Sequence, residues 1–300
     1  MKVLIIGNDE HDRHNWGHQL FKDEIGRQCE ATYYGAGYPG FAGKKADLYK
    51  VLGDCTEYDV IITYIMKRLI NWVRGLEKIH IPKVHIVVDY VPLKDWDKMH
   101  DAVFDKNKHA LIFARTGFEL RHLRKRRKEP AEYLPYSVDT NTYTEGKRQR
   151  VIDISAIWNR GSGYPNRTNA KNMLTQLPTN KTFAAKVYHQ EYVAKLQESK
   201  ISLNSINGLG TLNQRFTEIM ACGAMLLTDV PKEAEGQGFV PKKHFVPYTR
   251  VNEAKELIGY YLKHPEERAA IAKAGHDFVV ENHSNEVRVK KMLKKIEGVL

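Results

Sequence analysis

Residues 200–229 read KISLNSINGLGTLNQRFTEIMACGAMLLTD, and this stretch decides the fold. It begins with a short strand-like run and continues through a loop that holds Gly208 and Gly210. Apolar residues then recur at helical spacing up to Cys222, which predicts a helix. Gly223 follows where a helix end favours a left-handed residue, and a second apolar run comes after it. The stretch therefore predicts a strand, a glycine loop, a helix and a buried strand.

The polar residues of the same stretch indicate a site for a nucleotide. The loop before the helix, with Thr211 and Asn213 at its end, brings unpaired N–H groups together with the positive end of a helix dipole. Both favour a phosphate. Arg215 and Glu218 lie three residues apart, so they share one face of the predicted helix. A cation near the phosphates and a carboxylate one turn deeper, which can accept hydrogen bonds from both ribose hydroxyls, can bind the same nucleotide.

Strand-like runs alternate with helix-length segments along both halves of the chain. This alternation is typical of doubly wound parallel sheets, and it predicts an α/β fold with two sheets. The predicted strands are residues 3–6, 31–34, 60–64, 84–88, 110–114 and 133–135 in the first half, and 152–157, 182–187, 201–204, 224–228 and 244–246 in the second.

The stretch at residues 140–150 is polar and charged without periodicity, which predicts a linker. We therefore expect an N-terminal domain over residues 1–140 and a C-terminal domain over residues 151–280. Residues 281–300 carry an apolar stripe at helical spacing. They predict a terminal helix, for which packing back on the N-terminal domain is one arrangement.

Composition excludes several classes of protein. No apolar run approaches the length of a membrane span, and Met1 leads almost directly into a strand, so we expect a soluble cytoplasmic protein without a signal segment. The sequence leaves open whether the protein contacts a membrane surface. The three cysteines are far apart and lack a CxxC spacing, which argues against a disulfide framework and a zinc site. The formal net charge of +11 suggests an anionic partner.

The densest basic run is residues 121–128, RHLRKRRK, just before Glu129 and Pro130. It is either a solvated helix C-terminus, helped by the helix dipole, or a patch that binds phosphates. Aromatic residues do not interleave with the run, which argues against single-stranded nucleic acid as the ligand.

Polar and aromatic side chains also follow the first strand. The loop at residues 8–18 holds His14, Trp16 and His18, and in an open α/β sheet ligands bind beyond the carboxyl ends of strands. These residues are candidates to contact an acceptor, meaning a substrate that receives a transferred group, and His14 is a candidate base. A solvated loop is the alternative, and a metal cluster is disfavoured because the spacing matches no ligand pattern. The aromatic loop around Tyr38 is either a stacking surface for a sugar or base, or a turn with packed tyrosines.

Asp89 ends the predicted strand at residues 84–88. A carboxylate at the carboxyl end of a strand could take the proton from an acceptor hydroxyl. It could equally cap the turn that follows.

Several motifs of the C-terminal half resemble glycosyltransferases with the GT-B fold, in particular the spore-maturation, CgeB-like branch. The resemblance rests on the arginine, the glutamate and the ACGA and LLTD runs between residues 215 and 229. It extends to the YPNR run at residues 164–167, to the LPYSVD run at residues 134–139 and to residues 260–283. Related retaining enzymes carry a further glutamate at the position that Gly210 occupies here.

The resemblance implies two Rossmann-like domains that face each other across a cleft, and transfer of a sugar from a nucleoside-diphosphate sugar to a hydroxyl. It implies that Glu218 holds the ribose, and that Arg215, Arg167 and the loop at residues 208–211 carry the diphosphate. Tyr164 would lie on the phosphate side, and Asp89 would be the base. The donor is a substrate, so no cofactor and no metal is expected.

The sequence does not identify the acceptor. A glycan or another saccharide is the first candidate, with the N-terminal domain supplying its site. DNA with hydroxymethylated bases is the second, because the basic run lies in that domain and enzymes that glycosylate such bases can use this fold. A binding module that has lost its chemistry is a third, since the further glutamate is missing.

Overall fold

The computed structural model describes residues 1–11, 16–66, 74–88, 106–158, 166–206 and 210–300. These residues divide into two compact units. The first comprises Met1–Pro135 with Arg288–Leu300, and the second comprises Tyr136–Val287. Within the described ranges, no helix combines the length and the apolar character that a membrane span needs.

The first unit contains a six-stranded sheet in which every strand pairs in parallel with its neighbour, in the order β2-β1-β3-β4-β5-β6. The inner strands of this sheet are largely apolar and buried, because helices cover both faces of such a sheet. The strands of the sheet are β1 (Lys2–Ile6), β2 (Glu30–Tyr34), β3 (Val60–Met66), β4 (Lys83–Val88), β5 (Leu111–Ala114) and β6 (Ala131–Tyr133). The helices before the second unit are α1 (Trp16–Gln28), α2 (Leu48–Leu52) and α3 (Gly117–Arg126).

The second unit contains a five-stranded parallel sheet in the order β11-β10-β9-β7-β8. Its strands are β7 (Ile152–Ile157), β8 (Lys181–Ala184), β9 (Ser199–Asn204), β10 (Met225–Asp229) and β11 (Val246–Tyr248). Its helices are α4 (Asn166–Thr175), α5 (His189–Gln197), α6 (Gln214–Ala221), α7 (Val251–Lys263) and α8 (Pro265–His283). The predicted α/β fold with two parallel sheets is therefore confirmed.

The last helix, α9 (Asn285–Glu297), carries the apolar stripe that the sequence predicts. Val289, Met292, Leu293 and Ile296 are buried in one cluster with residues of β1, β3, β4 and β5. The stripe therefore completes the core of the first unit, although the chain reaches it only after the second unit.

Some strand boundaries differ from those predicted, for local reasons. β8 ends at Ala184 rather than residue 187, because Lys186 takes a left-handed backbone conformation with φ +59°. β11 starts at Val246 because residues 240–245 form a turn, in which the Lys242 N–H donates to the Phe245 carbonyl at 2.7 Å. Apolar runs thus located the strands, and turn geometry set their ends.

Both sheets reverse their winding once. In the first sheet β2 and β3 lie on opposite sides of β1, and in the second sheet β8 and β9 lie on opposite sides of β7. Ligands of doubly wound sheets bind beyond the carboxyl ends of strands at such a switch point. The loops after β1 and β3, and those after β7 and β9, are therefore the positions where ligand sites are expected.

Residues 140–150, predicted to be a linker, belong to the second unit and pack on its other elements. Tyr143 is buried, and the Gln197 side chain donates to the Thr144 carbonyl at 2.9 Å. Arg150 donates to the Ser199 and Gln197 carbonyls at 2.7 and 3.1 Å, and to the Cys222 carbonyl at 2.9 Å. One guanidinium thus satisfies carbonyl groups at the C-terminal ends of α5 and α6, where helices leave carbonyls without intrahelical partners.

Replacing Arg150 by methionine is expected to lower the free energy of unfolding by about 2–4 kcal/mol, because several carbonyls lose a charged donor. Urea unfolding measures this effect. Arg148→Met is the matched control. Its side chain is 53% exposed and pairs with Glu198 at 2.9 Å, so a loss below about 0.5 kcal/mol is expected. Equal losses in the two variants would contradict a special role for Arg150.

Candidate functional site

The loop between β9 and α6 is fixed at both ends by polar contacts. The side-chain amides of Asn204 and Asn213 donate to each other's oxygen at 3.2 and 3.3 Å. Asn213 also donates to the Ser205 carbonyl at 3.2 Å and accepts from the Phe216 N–H at 3.2 Å, which makes it the N-cap of α6. Asn213, predicted to bind the donor, therefore already fixes the start of α6.

The neighbouring strand β10 supports the same loop. Asp229, its last residue, accepts hydrogen bonds from the Ile206 N–H at 2.7 Å and the Ser205 hydroxyl at 3.3 Å. The Lys232 N–H donates to the Gly210 carbonyl at 3.1 Å. Gly210 has φ +72°, and a Cβ there would lie 3.0 Å from the Lys232 side chain. The described ends of the loop, at residues 204–206 and 210–213, are therefore held in place at a switch point, and the positive φ of Gly210 favours glycine there.

The end of α6 shows the predicted helix stop. Gly223 has φ +70°, and its N–H donates to the Met220 carbonyl at 2.8 Å while the Ala224 N–H donates to the Ile219 carbonyl at 3.3 Å. This pair of bonds is the Schellman motif. A Cβ on Gly223 would lie 2.6 Å from the Arg150 guanidinium, so this position also needs glycine for space.

Glu218 is a buried carboxylate on α6. Its Oε2 accepts a hydrogen bond from the Tyr192 hydroxyl at 3.0 Å, and the Tyr143 hydroxyl donates to the same carboxylate. Burial raises the pKa of Glu218 above its usual value, while the Arg215 charge and the two tyrosine hydrogen bonds lower it. A carboxylate offers about four lone-pair sites, so two donors leave capacity for two more.

Two arginines lie in the first turns of helices that follow neighbouring strands. Arg167 is the second residue of α4, which follows β7, and Arg215 is the second residue of α6, which follows β9. Arg167 is buried, with its guanidinium carbon 5.9 Å from the centre of the Trp158 ring. Within the described residues, the buried Nε of Arg215 has no hydrogen-bond partner. Two guanidiniums and two helix N-termini therefore lie around one switch point, which suits an anion.

Other predicted donor residues are only partly placed. Thr211 is buried beside the N-cap of α6. Tyr164 and Gly208 lie outside the described residues, as do the predicted catalytic residues His14 and Asp89. Their roles stay predictions.

In the first unit, His18 and Tyr38 are tied to neighbours, and Trp16 starts α1 with its side chain half-buried. The His18 ring lies 2.9 Å from the Tyr64 hydroxyl, and burial lowers the pKa of His18 to about 3, so the ring is neutral. Tyr38 exchanges hydrogen bonds with the Gln19 side chain at 3.0 and 3.1 Å. All three residues lie near the switch point of the first sheet, and their contact with an acceptor stays a prediction.

The structure reveals a further candidate functional residue, Lys22, which sequence patterns did not indicate. Its buried ammonium donates to the Asn8 carbonyl, lies 3.5 Å from the Tyr38 hydroxyl and lies 6.0 Å from the centre of the Tyr64 ring. Burial lowers the pKa of Lys22 to about 8, although the negative charges of Glu10, Asp23 and Asp9 act to raise that pKa. A strongly perturbed cation in this place is a functional-site candidate.

Lys22 gives the stability of the protein a pH dependence. Because the pKa falls from 10.5 to about 8 on folding, the unfolded chain binds more protons between these values. The free energy of unfolding should therefore rise by about 3 kcal/mol from pH 8 to 10.5. Lys22→Met should remove that rise in urea-unfolding series, and Lys50→Met, at an exposed position of α2, should retain it. A rise of equal size in both variants would contradict the assignment.

Residues 148–294 match a sequence family described as glycosyl transferase-like. The matched range contains the five strands of the second sheet, both arginines and Glu218. No curated protein matches the sequence.

Solved structures match nearly the whole chain. HepE from Anabaena, in complex with UDP-glucose, gives a TM-score of 0.78 at 12% identity, over 99% of this chain and 100% of that one. Sucrose-phosphate synthase from Thermosynechococcus elongatus gives 0.69 at 10% identity, over 100% of this chain and 99% of that one. T4 phage β-glucosyltransferase gives 0.63 at 10% identity, over 98% of this chain and 99% of that one. The chain has the GT-B fold.

Among the described residues, no group of three or more histidine, cysteine or carboxylate side chains could hold a metal ion. The cationic groups of this site that could attract an anion are Arg167 and Arg215, together with the helix N-termini.

Proposed function

We propose that the protein is a glycosyltransferase that moves a sugar from a nucleoside-diphosphate sugar to an acceptor hydroxyl. The observation that carries the proposal is that Arg215 and the buried Glu218 lie three residues apart on α6, directly after a loop whose described ends are held in place at a switch point. The match to HepE, solved with UDP and with UDP-glucose, supports a nucleotide sugar as the donor. Within these enzymes, the motifs resemble the CgeB-like branch.

Each group of the site has a role in this proposal. Glu218 accepts hydrogen bonds from the ribose hydroxyls. Arg215, Arg167 and the backbone around Gly210 and Thr211 bind the diphosphate. Their effect grows as the bond to the sugar breaks, because the leaving diphosphate gains negative charge in a site already oriented toward it. Asp89 and His14 remain the proposed bases.

A mass-spectrometric screen tests the proposal. A panel of UDP-, GDP-, ADP- and dTDP-linked hexoses is incubated with glycan and hydroxymethylated DNA acceptors, for the parent and for Glu218→Ala. We expect a nucleoside diphosphate and an acceptor heavier by one sugar in the parent alone. A parent that neither binds nor consumes any donor would overturn the proposal, and one that binds donor without turnover would favour the non-catalytic module.

A glycan is the first candidate for the acceptor, and DNA is the second because of one surface feature. Arg121, Lys125, Arg126 and Lys128 are exposed on α3 and just after it. Across the edge strand β6, α9 exposes four more cations, which are Lys290, Lys291, Lys294 and Lys295. We call these eight residues the basic edge.

Contacts to β6 join the two parts of the basic edge. Arg124 donates to the Ala131 carbonyl at 3.2 and 3.0 Å, and Lys295 contacts Glu132 at 2.6 Å. The two helices pack on opposite faces of the sheet, since Leu123 of α3 and Met292 of α9 belong to different core clusters. Cations therefore flank the edge from both faces.

The basic edge lies away from the strand ends that bind ligands. The last turn of α3 contacts Ala131, the first residue of β6, so the run at residues 121–128 lies at the amino ends of the strands. It would therefore hold a DNA backbone at a distance from the reacting base. Arg124 and Arg127 are not counted in the basic edge, because Arg124 donates twice to the Ala131 carbonyl and the Arg127 side chain is only 12% exposed beside Glu129.

Salt dependence distinguishes the two acceptors. Replacing Arg121, Lys125 and Arg126 by glutamine should flatten the salt slope of duplex binding by about one unit per lost phosphate contact. The control replaces Lys243, Lys255 and Lys263, exposed in the second unit, by glutamine. Equal slopes in the two triple variants would remove the main support for a DNA acceptor.

A further inference from the structure

Two tyrosines from separate elements converge on Glu218. Tyr192 lies on α5, and Tyr143 lies in the segment that precedes β7. Both rings are buried, their centres are 6.2 Å apart, and their planes meet at 75° in an edge-on contact. Both hydroxyls donate to the carboxylate, the Tyr192 hydroxyl at 3.0 Å. The carboxylate is therefore held from two directions.

Arg215 does not neutralise this carboxylate by direct pairing. The two residues lie three apart on α6, a spacing at which an arginine and a glutamate can reach each other. Among the described residues, no hydrogen bond or ion pair joins them, and the buried Arg215 Nε lacks a partner. Each keeps hydrogen-bonding capacity that a ligand could use. A purely structural buried carboxylate would be expected to pair with such a neighbour, because an unpaired buried charge is costly.

We propose that Tyr143 and Tyr192 are positioning residues, which hold the Glu218 carboxylate ionised and oriented so that its free lone pairs receive the ribose hydroxyls. The inference rests on the proposed function. The tyrosines do not contact the sugar in this account. They act through Glu218, because two donors fix the plane of the carboxylate and favour its charged form.

The proposal predicts a direction for pH dependence. Burial raises the pKa of Glu218, and the two tyrosines and Arg215 lower it, so removing a tyrosine hydroxyl should raise the pKa further. Ribose binding needs the carboxylate, so nucleotide affinity should fall as the pH drops through that pKa. The other titratable neighbour, the Cys222 thiol, stays neutral because burial raises its pKa.

The variants Tyr143→Phe and Tyr192→Phe test this by two measurements. Calorimetry gives UDP affinity between pH 5 and 8, and carbon-13 NMR follows the Glu218 carboxyl in the ligand-free protein. We expect each variant to bind UDP about tenfold more weakly at pH 7, with the affinity loss and the carboxyl titration both moved to higher pH. Tyr260→Phe is the matched control, since Tyr260 donates to the exposed Glu267 at 2.9 Å in the same unit.

The outcomes separate this inference from the proposed function. An affinity loss that is equal at every pH, with an unchanged Glu218 titration, would overturn the positioning role and leave the nucleotide site intact. If the parent binds UDP and both variants bind it equally well, the positioning role is also wrong. If the parent binds none of the nucleoside diphosphates of the donor panel while the titration moves as expected, the tyrosines tune a carboxylate that does not serve a nucleotide, and both proposals fail.

Discussion

Glu218→Ala is expected to weaken the binding of UDP at least about a hundredfold, because two hydrogen bonds between the ribose and a charged carboxylate contribute roughly 1.5–3 kcal/mol each. Calorimetric titration with UDP measures this loss. Glu218→Gln keeps the shape of the side chain and removes its charge, so it should show most of the same loss while folding as the parent does.

The control for this prediction is Glu191→Ala, which removes an exposed carboxylate from α5 of the same unit. It should bind UDP as the parent does. Circular dichroism of all variants separates loss of binding from loss of fold. If Glu218→Ala and Glu191→Ala bind UDP equally well, Glu218 is a structural carboxylate and the ribose lies elsewhere.

Replacing both Arg167 and Arg215 by alanine is expected to weaken UDP binding by about a hundredfold or more, because each guanidinium forms charge-assisted hydrogen bonds with the diphosphate. The binding of uridine, which lacks the phosphates, should change little. The ratio of UDP affinity to uridine affinity is therefore the quantity to measure.

Arg148→Ala serves as the control, because that guanidinium is 53% exposed and pairs with Glu198. It should leave the affinity ratio unchanged. A double variant that loses UDP and uridine affinity by the same factor would indicate a general disturbance of the site, and one that keeps both affinities would place the diphosphate elsewhere.

The fold was largely predictable because both sheets are parallel and buried. The inner strands of such sheets are largely apolar, and among the described residues every strand overlaps a predicted one. Strand ends were less predictable, since they depend on single backbone conformations such as that of Lys186. The packing of residues 140–150 was not predictable either, because a polar segment without periodicity gives no signal of the groups it will contact.

The donor side of the site was predictable where its geometry is local. The arrangement of Arg215 and Glu218 follows from helical spacing alone. The tyrosines that hold Glu218 were not predictable, because Tyr192 is 26 residues away along the chain and Tyr143 is still further. Sequence patterning also could not separate Arg124 and Arg127, which bond to the backbone and to Glu129, from the exposed cations beside them.

We propose that the loop between β9 and α6, together with α4 and α6, binds a nucleotide sugar. Hydrogen exchange tests this proposal most directly, by comparing the parent with and without UDP-glucose, or with another donor that the screen identifies. We expect slower exchange for the amides of residues 204–218 and for the first turn of α4, and no such protection in Glu218→Ala. Protection confined to the first unit, or no protection with any donor of the panel, would contradict it.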